Sequence, residues 1–589
     1  MTPNSTPPNA TTPQETPSDL DHEVRRDIMV EMRDGVRLAT DVHLPEGEGP
    51  FPTLVNRTPY NKATDTPVGT IGAAIERGYA VVQQDVRGRF NSGGWFEPFF
   101  EGEDGYDTVE WAAEQDWSTG DVGMYGVSYR GMAVIRALEQ DPPSLVAAAP
   151  LVTPANFYRD LQYMGGADNF GTSLAWSLFN SGSQIDRIAD NEAKAKELRG
   201  EIQRLIENWP DSARFLPTID FPALDEGVAQ YWQDWHNHPT YDVFWQELDI
   251  LDSISSVSTP VIHLGGWYDI FLQGYTALYS AIEECGQEAV SENQHMVIGP
   301  WTHSIGNPVV GERDFGEQAQ YNAGEQLVFP WFDHWLHGSK DALDSVPKVQ
   351  YFQMGEDEWR SDDEWPPAEV ESTTYYLTSG GNANSMDGDG VITTTPLAED
   401  VPVDEFTYDP LDPVPTRGGP ILMGPLQESG VVDQRPVEKR EDVLVYTSAE
   451  LERPLEIAGN VEATFFVESS APDTDFVARL VDVGPDGYAA NITEGALRLR
   501  YRNSFETPEF MNPGCVYEVS IELRPVAHTF KSGHRLRVDV TSSNFPKLDR
   551  NPNAAIPVAR ATEDEMQTAE QTIYHDSDRP SRITLPVRQ

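Results

Sequence analysis

Across residues 28–45, apolar and polar positions alternate on either side of Arg33-Asp34-Gly35-Val36, the pattern of two strands joined by a turn. Three short apolar runs follow at 53–56, 79–83 and 122–125, each bounded by turn residues. Between the second and third, residues 106–114 have helical spacing and are preceded by acidic residues, which suit the positive end of a helix. Further strands are expected at 147–151, 261–264 and 295–298. Strands that alternate with helices predict a parallel sheet with helices on both faces, an α/β fold.

The texture changes over 154–254. Residues 190–209 and 228–235 have helical spacing, Trp and Tyr are frequent, and the strand pattern stops. A helical cap inserted into the sheet domain is expected. Near Val346 short alternating segments begin to recur between Gly and Pro turns, as at 461–467, 516–523 and 535–542, which predicts an all-β sandwich or jelly roll. The expected organisation is therefore a tail at 1–22, a sheet core in two parts at 23–153 and 255–345, the cap at 154–254 and a β domain at 346–589. The tail is rich in Pro, Thr, Ser and Asn without an apolar core, and reads as disordered rather than as a signal peptide or anchor.

Composition narrows the function classes. The net charge is −55, and the 41 basic residues include only 8 Lys. Nucleic acid is excluded as the expected partner, because phosphate binding needs a clustered basic surface. Acidic residues dispersed along the whole chain, with depleted Lys, suit a high-salt cytoplasm, where hydrated cations screen carboxylate repulsion. Cys285 and Cys515 have no CxxC spacing and indicate neither a zinc site nor a disulfide framework. No apolar run is long enough to span a bilayer, so no membrane role and a cytoplasmic location are expected.

Candidate chemistry centres on Gly126-Val127-Ser128-Tyr129-Arg130-Gly131, a strand end, a tight turn and a helix start. Glycine at 126 permits a strained turn that lifts the Ser128 hydroxyl above the sheet edge. The Tyr129 N–H, at the helix start, can then donate to a developing oxyanion. A serine nucleophile needs a base and an orienting acid, which follow it in the order Ser, Asp, His in α/β-hydrolases. Gly265-Gly266-Trp267-Tyr268-Asp269 places a carboxylate just past one expected strand, and Gly299-Pro300-Trp301-Thr302-His303 places a histidine past the next. Strand ends of this kind collect catalytic groups in open parallel sheets. The expected triad is Ser128, Asp269 and His303.

These segments, with Arg57-Thr58-Pro59-Tyr60 and Asp85-Val86-Arg87-Gly88-Arg89, resemble the CocE/NonD hydrolases, a family of esterases, acylases and X-Pro dipeptidyl-peptidases. The resemblance covers residues 24–589 and implies an α/β-hydrolase core, a helical cap and a C-terminal jelly roll of galactose-binding-like type. It also implies that the Tyr60 hydroxyl joins the Tyr129 N–H in the oxyanion hole. Family members that act on amino-acid esters hold the substrate ammonium with carboxylates two and three residues beyond the triad Asp; here those positions are Phe271 and Leu272.

Other candidates are read as structural. His334, beside Asp333 and Trp335, is expected to be a core histidine rather than a rival base, and His236 and His238 to be cap-surface residues rather than metal ligands. Asp85 and Arg87 are expected to pair with each other. The cap aromatics Phe157, Tyr158, Trp176, Trp232 and Trp235 either pack the cap or line an acyl pocket, and Trp176, Trp267, Phe271 and Leu272 are the pocket candidates. No metal or organic cofactor is expected. The expected activity is hydrolysis of a small-molecule ester, an amide or a short peptide through an acyl-enzyme. X-Pro dipeptidyl-peptidase action is the second reading, and a catalytically silent binding protein the third.

Overall fold

The computed structural model of the chain describes residues 22–65, 68–224, 227–395, 397, 399 and 401–589. The expected tail at 1–22 lies outside the described residues except for His22, whose ring stacks on His43 with centroids 5.2 Å apart. Two compact units are present, one drawn from Met1–Pro150, Ser258–Val261 and Asn322–Ser345, the other from Leu151–Val257, Ile262–Tyr321 and Val346–Gln589.

In the first unit, strands β1 (Glu23–Glu31), β2 (Arg37–Leu44), β3 (Phe51–Thr58), β4 (Ala80–Asp85), β5 (Ser118–Val127) and β6 (Leu145–Leu151) form one sheet in the order β1-β2-β4-β3-β5-β6. The β1–β2 and β2–β4 pairs are antiparallel, whereas β3 runs parallel to both β4 and β5. Helices α1 (Ile71–Glu76), α2 (Gly102–Ala113) and α3 (Tyr129–Leu138) alternate with the strands, as the pattern predicts. Every residue of β4 from Ala80 to Asp85 is buried, so its polar residues need internal partners. Gln84 finds them, its Oε1 accepting from Arg57 Nε at 2.8 Å and from Thr108 Oγ1 at 2.9 Å. Glu103 and Asp104 occupy the first turn of α2, where the helix dipole favours negative charge. Gly105 lets α2 close onto α3, since a Cβ there would fall 2.8 Å from the Ala137 Cβ.

The second unit holds the cap, a small sheet and the β domain. Cap helices Phe170–Asn180, Glu192–Glu207 and Gln230–Asn237 are present, and Asn191 caps the second by accepting from Lys194 N at 3.1 Å. A two-residue strand pair, Tyr163–Met164 with Ala167–Asp168, interrupts the otherwise helical texture. The strand Ile262–Gly266 runs parallel to His295–Gly299, which in turn runs parallel to Val349–Gln353. Strand Glu358–Asp362 pairs antiparallel with the last of these. The first two strands after 346 complete the sheet that carries Asp269 and His303, so the chain beyond the expected boundary contributes to this small sheet as well as to the β domain. The eleven-stranded sheet of the β domain begins with Val370–Thr378, and its strands Asp475–Val483 and Ala489–Arg498 are buried throughout.

Buried charges fasten the cap to the β domain. Arg498 makes a bidentate pair with Asp475, both contacts at 2.9 Å, and reaches Asp549 Oδ1 at 2.6 Å. Asp549 Oδ1 also accepts from the Asp168 N–H at 3.1 Å, and its own N–H donates to the Asp168 carbonyl at 3.0 Å. Removing one partner of such a cluster leaves buried charge uncompensated. Arg498→Met is expected to lose about 3–5 kcal/mol of unfolding free energy, read by denaturant titration. A loss within experimental error would show that the cluster does not hold the two regions together.

Candidate active site

Ser128 sits between β5 and α3 with φ 62° and ψ −129°, a strained conformation for a residue with a side chain. Such strain costs on the order of 1–3 kcal/mol and persists only where the surroundings enforce it. Gly126 makes the turn possible, because a Cβ there would lie 2.3 Å from the Arg130 carbonyl carbon. The Ser128 carbonyl accepts from Met132 N at 2.8 Å and starts α3, every residue of which is buried. The Tyr129 N–H thus lies in the first turn of a buried helix, the end of a helix that favours an anion.

The Tyr129 side chain is anchored from below. Its hydroxyl donates to Glu101 Oε1 at 2.5 Å and accepts from Phe99 N at 3.2 Å. The Tyr60 ring meets it edge-on, with centroids 6.2 Å apart and planes at 74°. Arg130 fixes the loop that carries Tyr60, donating to Thr58 Oγ1 at 3.1 Å, to the Asp65 carbonyl at 3.0 Å and to the Thr64 carbonyl at 3.2 Å. Arg130 thereby ties the two halves of the expected oxyanion hole together.

Asp269 and His303 stand on the loops that follow Ile262–Gly266 and His295–Gly299. Asp269 is fully buried. Its Oδ2 receives His303 Nδ1 at 2.6 Å, and its Oδ1 accepts from Phe271 N at 2.7 Å. With Nδ1 committed to the carboxylate, Nε2 is the His303 nitrogen left for proton transfer. The paired glycines before Asp269 are required by contact: a Cβ at Gly265 would fall 1.9 Å from the Tyr275 ring, and one at Gly266 2.2 Å from the Trp301 carbonyl oxygen. The Phe271 ring stands edge-on to the His303 imidazole at 5.6 Å.

The remaining candidates divide. Leu272 is buried at the start of helix Leu272–Cys285. Trp267 packs on Trp365 and donates its indole N–H to the Phe352 carbonyl at 2.7 Å. Trp176 is half-buried against Tyr231 and Trp235. Phe157, Tyr158, Trp232 and Trp235 are buried, with the Tyr158 hydroxyl and the Trp232 indole bonded to cap carbonyls, so they pack the cap. Asp85 and Arg87 do not pair: Arg87 reaches Asp104 at 2.6 Å and Asp34 at 2.7 Å, while Asp85 accepts from Lys62 N. His236 is buried rather than on the cap surface, bonded to Asp168 at 2.8 Å and to the Trp232 carbonyl at 2.7 Å. The Asp333 carboxylate is met by Arg77 at 2.9 Å and by the Tyr79 hydroxyl at 2.7 Å. Among the described residues no group of three or more His, Cys, Asp or Glu side chains is arranged to hold a metal.

Comparison with known proteins shows the family of the chain. Residues 34–305 match the X-Pro dipeptidyl-peptidase (S15 family), and residues 341–584 match the X-Pro dipeptidyl-peptidase C-terminal non-catalytic domain. Cocaine esterase of Rhodococcus sp. (strain MB1 Bresler) is 37% identical over 97% of this chain and 99% of its own length. The crystal structure of an aminopeptidase from a marine sediment Thaumarchaeota archaeon superposes with a TM-score of 0.81 at 26% identity, covering 100% of this chain and 99% of that one. An α-amino acid ester hydrolase superposes with a TM-score of 0.80 at 27% identity, covering both chains in full.

Glu101, beneath the elbow, gives the first unit a specific response to pH. Burial pushes its carboxyl up from 4.5 to about 7, against the pull of the nearby Arg57 guanidinium and the Tyr129 hydroxyl. The fold therefore holds this proton more tightly than the unfolded chain does. The associated stability is complete below about pH 4.5 and is lost as the pH rises through about 7. At 1.4 kcal/mol per pH unit the difference is worth about 3 kcal/mol. Glu101→Gln, which never ionises, is expected to gain on the parent by about that amount between pH 4.5 and 8 in urea titrations. Parallel stability profiles for the two proteins would contradict the assignment.

Proposed function

The chain belongs to the CocE/NonD hydrolase family, with the S15 X-Pro dipeptidyl-peptidase signature, and from that premise we propose that it cleaves carboxylic esters through a Ser128 acyl-enzyme. The observation that carries this reading is the 2.6 Å bond between His303 Nδ1 and the buried Asp269 carboxylate, on loops that follow adjacent parallel strands. The strained backbone of Ser128 supports its role as nucleophile. Asp269 orients His303 and stabilises its imidazolium form; His303 Nε2 takes the Ser128 proton as the oxygen attacks the carbonyl. The Tyr60 hydroxyl and the Tyr129 N–H receive the oxyanion. His303 then protonates the leaving group, and a water that it deprotonates releases the acid.

Phe271 favours an acyl group without a charged amine, because an apolar ring borders His303 at a position where amino-acid ester hydrolases of the family use a carboxylate. X-Pro dipeptidyl-peptidase action is the second reading, favoured by the matches of both family segments. The dispersed charge of −55 supports adaptation to a saline cytoplasm. In molar salt, p-nitrophenyl acyl esters are expected to be hydrolysed with higher kcat/KM than Gly-Pro or Ala-Pro anilides, with activity collapsing in dilute buffer. Preference for the anilides would reverse the order of the two readings, and full activity in dilute buffer would reject salt adaptation. Asp269→Asn is expected to lower kcat by about 10⁴, since the wrong imidazole tautomer is then held; a loss below tenfold would remove Asp269 from the triad.

A further inference from the structure

The β domain strand Tyr517–Phe530 brings one buried cation to the catalytic loop. Its neighbour Leu455–Ser469 pairs Val461 with Leu523 and Gly459 with Val526, so Arg524 and Pro525 together oppose Asn460 alone. This is a β-bulge, the irregularity that re-aims a side chain. Glu522 is exposed, whereas Arg524, in the bulge, is 2% exposed. Its Nη2 donates to the Asp269 main-chain carbonyl. Its Nε and Nη1 are buried and have no hydrogen-bond partner among the described residues. The rest of the loop is fastened to the same domain, for the Tyr268 hydroxyl donates to the Asn491 carbonyl at 2.8 Å.

We propose that Arg524 is a positioning residue of the hydrolase: it fixes the loop that carries Asp269 and so keeps the Asp269 carboxylate aimed at His303. This inference rests on the triad reading given above. It assigns a part in catalysis to a domain whose family relatives are described as non-catalytic.

The surrounding charges favour Asp269 as the counter-ion of Arg524. The titratable groups that act on the guanidinium are Asp269, the Tyr275 hydroxyl, Glu494, Asp160 and, with like charge, the Lys547 ammonium. Glu494 is already answered by Lys547 at 2.5 Å and Arg479 at 3.3 Å. Asp160 gives Oδ2 to the N–H groups of Ala155 and Asn156, and burial raises it to about 6. The Tyr275 hydroxyl donates to the Gly266 carbonyl at 2.9 Å, and burial keeps its proton on. A guanidinium stays charged even when buried. Of the three carboxylates, Asp269 is the one whose own residue also receives the Arg524 bond.

The test compares kcat and KM for a p-nitrophenyl ester in molar salt, with folding checked by circular dichroism. Arg524→Gln is too short to keep the bond to the Asp269 carbonyl, and kcat is expected to fall about tenfold to a hundredfold while KM stays within about twofold. Arg524→Lys, which can return one donor to that carbonyl without the planar fork, is expected to lose only about threefold in kcat at unchanged KM. A folded Arg524→Gln with unchanged kcat would overturn the inference while leaving the triad intact. If that variant does not fold, Arg524→Lys decides: a lowered kcat at unchanged KM supports the role, and an unchanged kcat overturns it. Activity retained by Ser128→Ala would instead overturn the triad itself, so the two failures are distinguishable.

Discussion

Asp269 sets the central constraint on this molecule. A carboxylate without access to water must be met by neighbours on every side, and each requirement fixes another piece of the second unit. One oxygen takes His303 and the other takes the Phe271 N–H, which turns the chain into helix Leu272–Cys285. The glycines at 265 and 266 exist because Tyr275 and the Trp301 carbonyl occupy the space where a Cβ would lie. Those two residues in turn sit on the elements that follow Asp269 and precede His303. Sequence, loop shape and the geometry of the acid–histidine pair are therefore one solution to one burial problem.

The first unit solves a parallel problem at Ser128. There the cost is backbone strain, and it is sustained by a fully buried helix, by Glu101 and Phe99 below the Tyr129 ring, and by Arg130 across to the Tyr60 loop. Both units use arginine for the interior. Arg57, Arg498 and Arg524 are buried where a planar guanidinium answers carbonyls or carboxylates in fixed directions. Even the scarce lysines contribute, since Lys62 reaches Asp41 at 2.9 Å and Lys547 reaches Glu494, both inside. A chain with so many carboxylates has no shortage of acids for its interior; the cations are the limiting groups, and the fold places them with care.

Much of this was legible in the sequence. Strands buried on both faces gave continuous apolar runs, so β3 to β6 and the strands that carry Asp269 and His303 were found within a few residues. The glycines flagged the turns because those positions exclude a Cβ. What escaped detection depends on partners distant in sequence. Asp85 and Arg87 are adjacent in the chain, yet Arg87 is drawn to Asp104 and Asp34 instead. His236 resembles a surface residue in a polar segment, but Asp168 and the Trp232 carbonyl take both its nitrogens into the core. Strand Val349–Gln353 has the same alternation as a β-domain strand, and only its parallel partner His295–Gly299 shows where it belongs. Arg524 carried no local signal, because a bulge and not the alternation of its strand turns it inward.

The central claim is that Ser128 is the nucleophile served by Asp269 and His303. Its most direct test is to treat the folded protein with a fluorophosphonate in molar salt and locate the adduct by peptide mass spectrometry. A single phosphonylated peptide containing Ser128 is expected, absent from Ser128→Ala and formed far more slowly in His303→Ala. An adduct on a different serine, or ester hydrolysis that persists undiminished without any adduct at Ser128, would contradict the account.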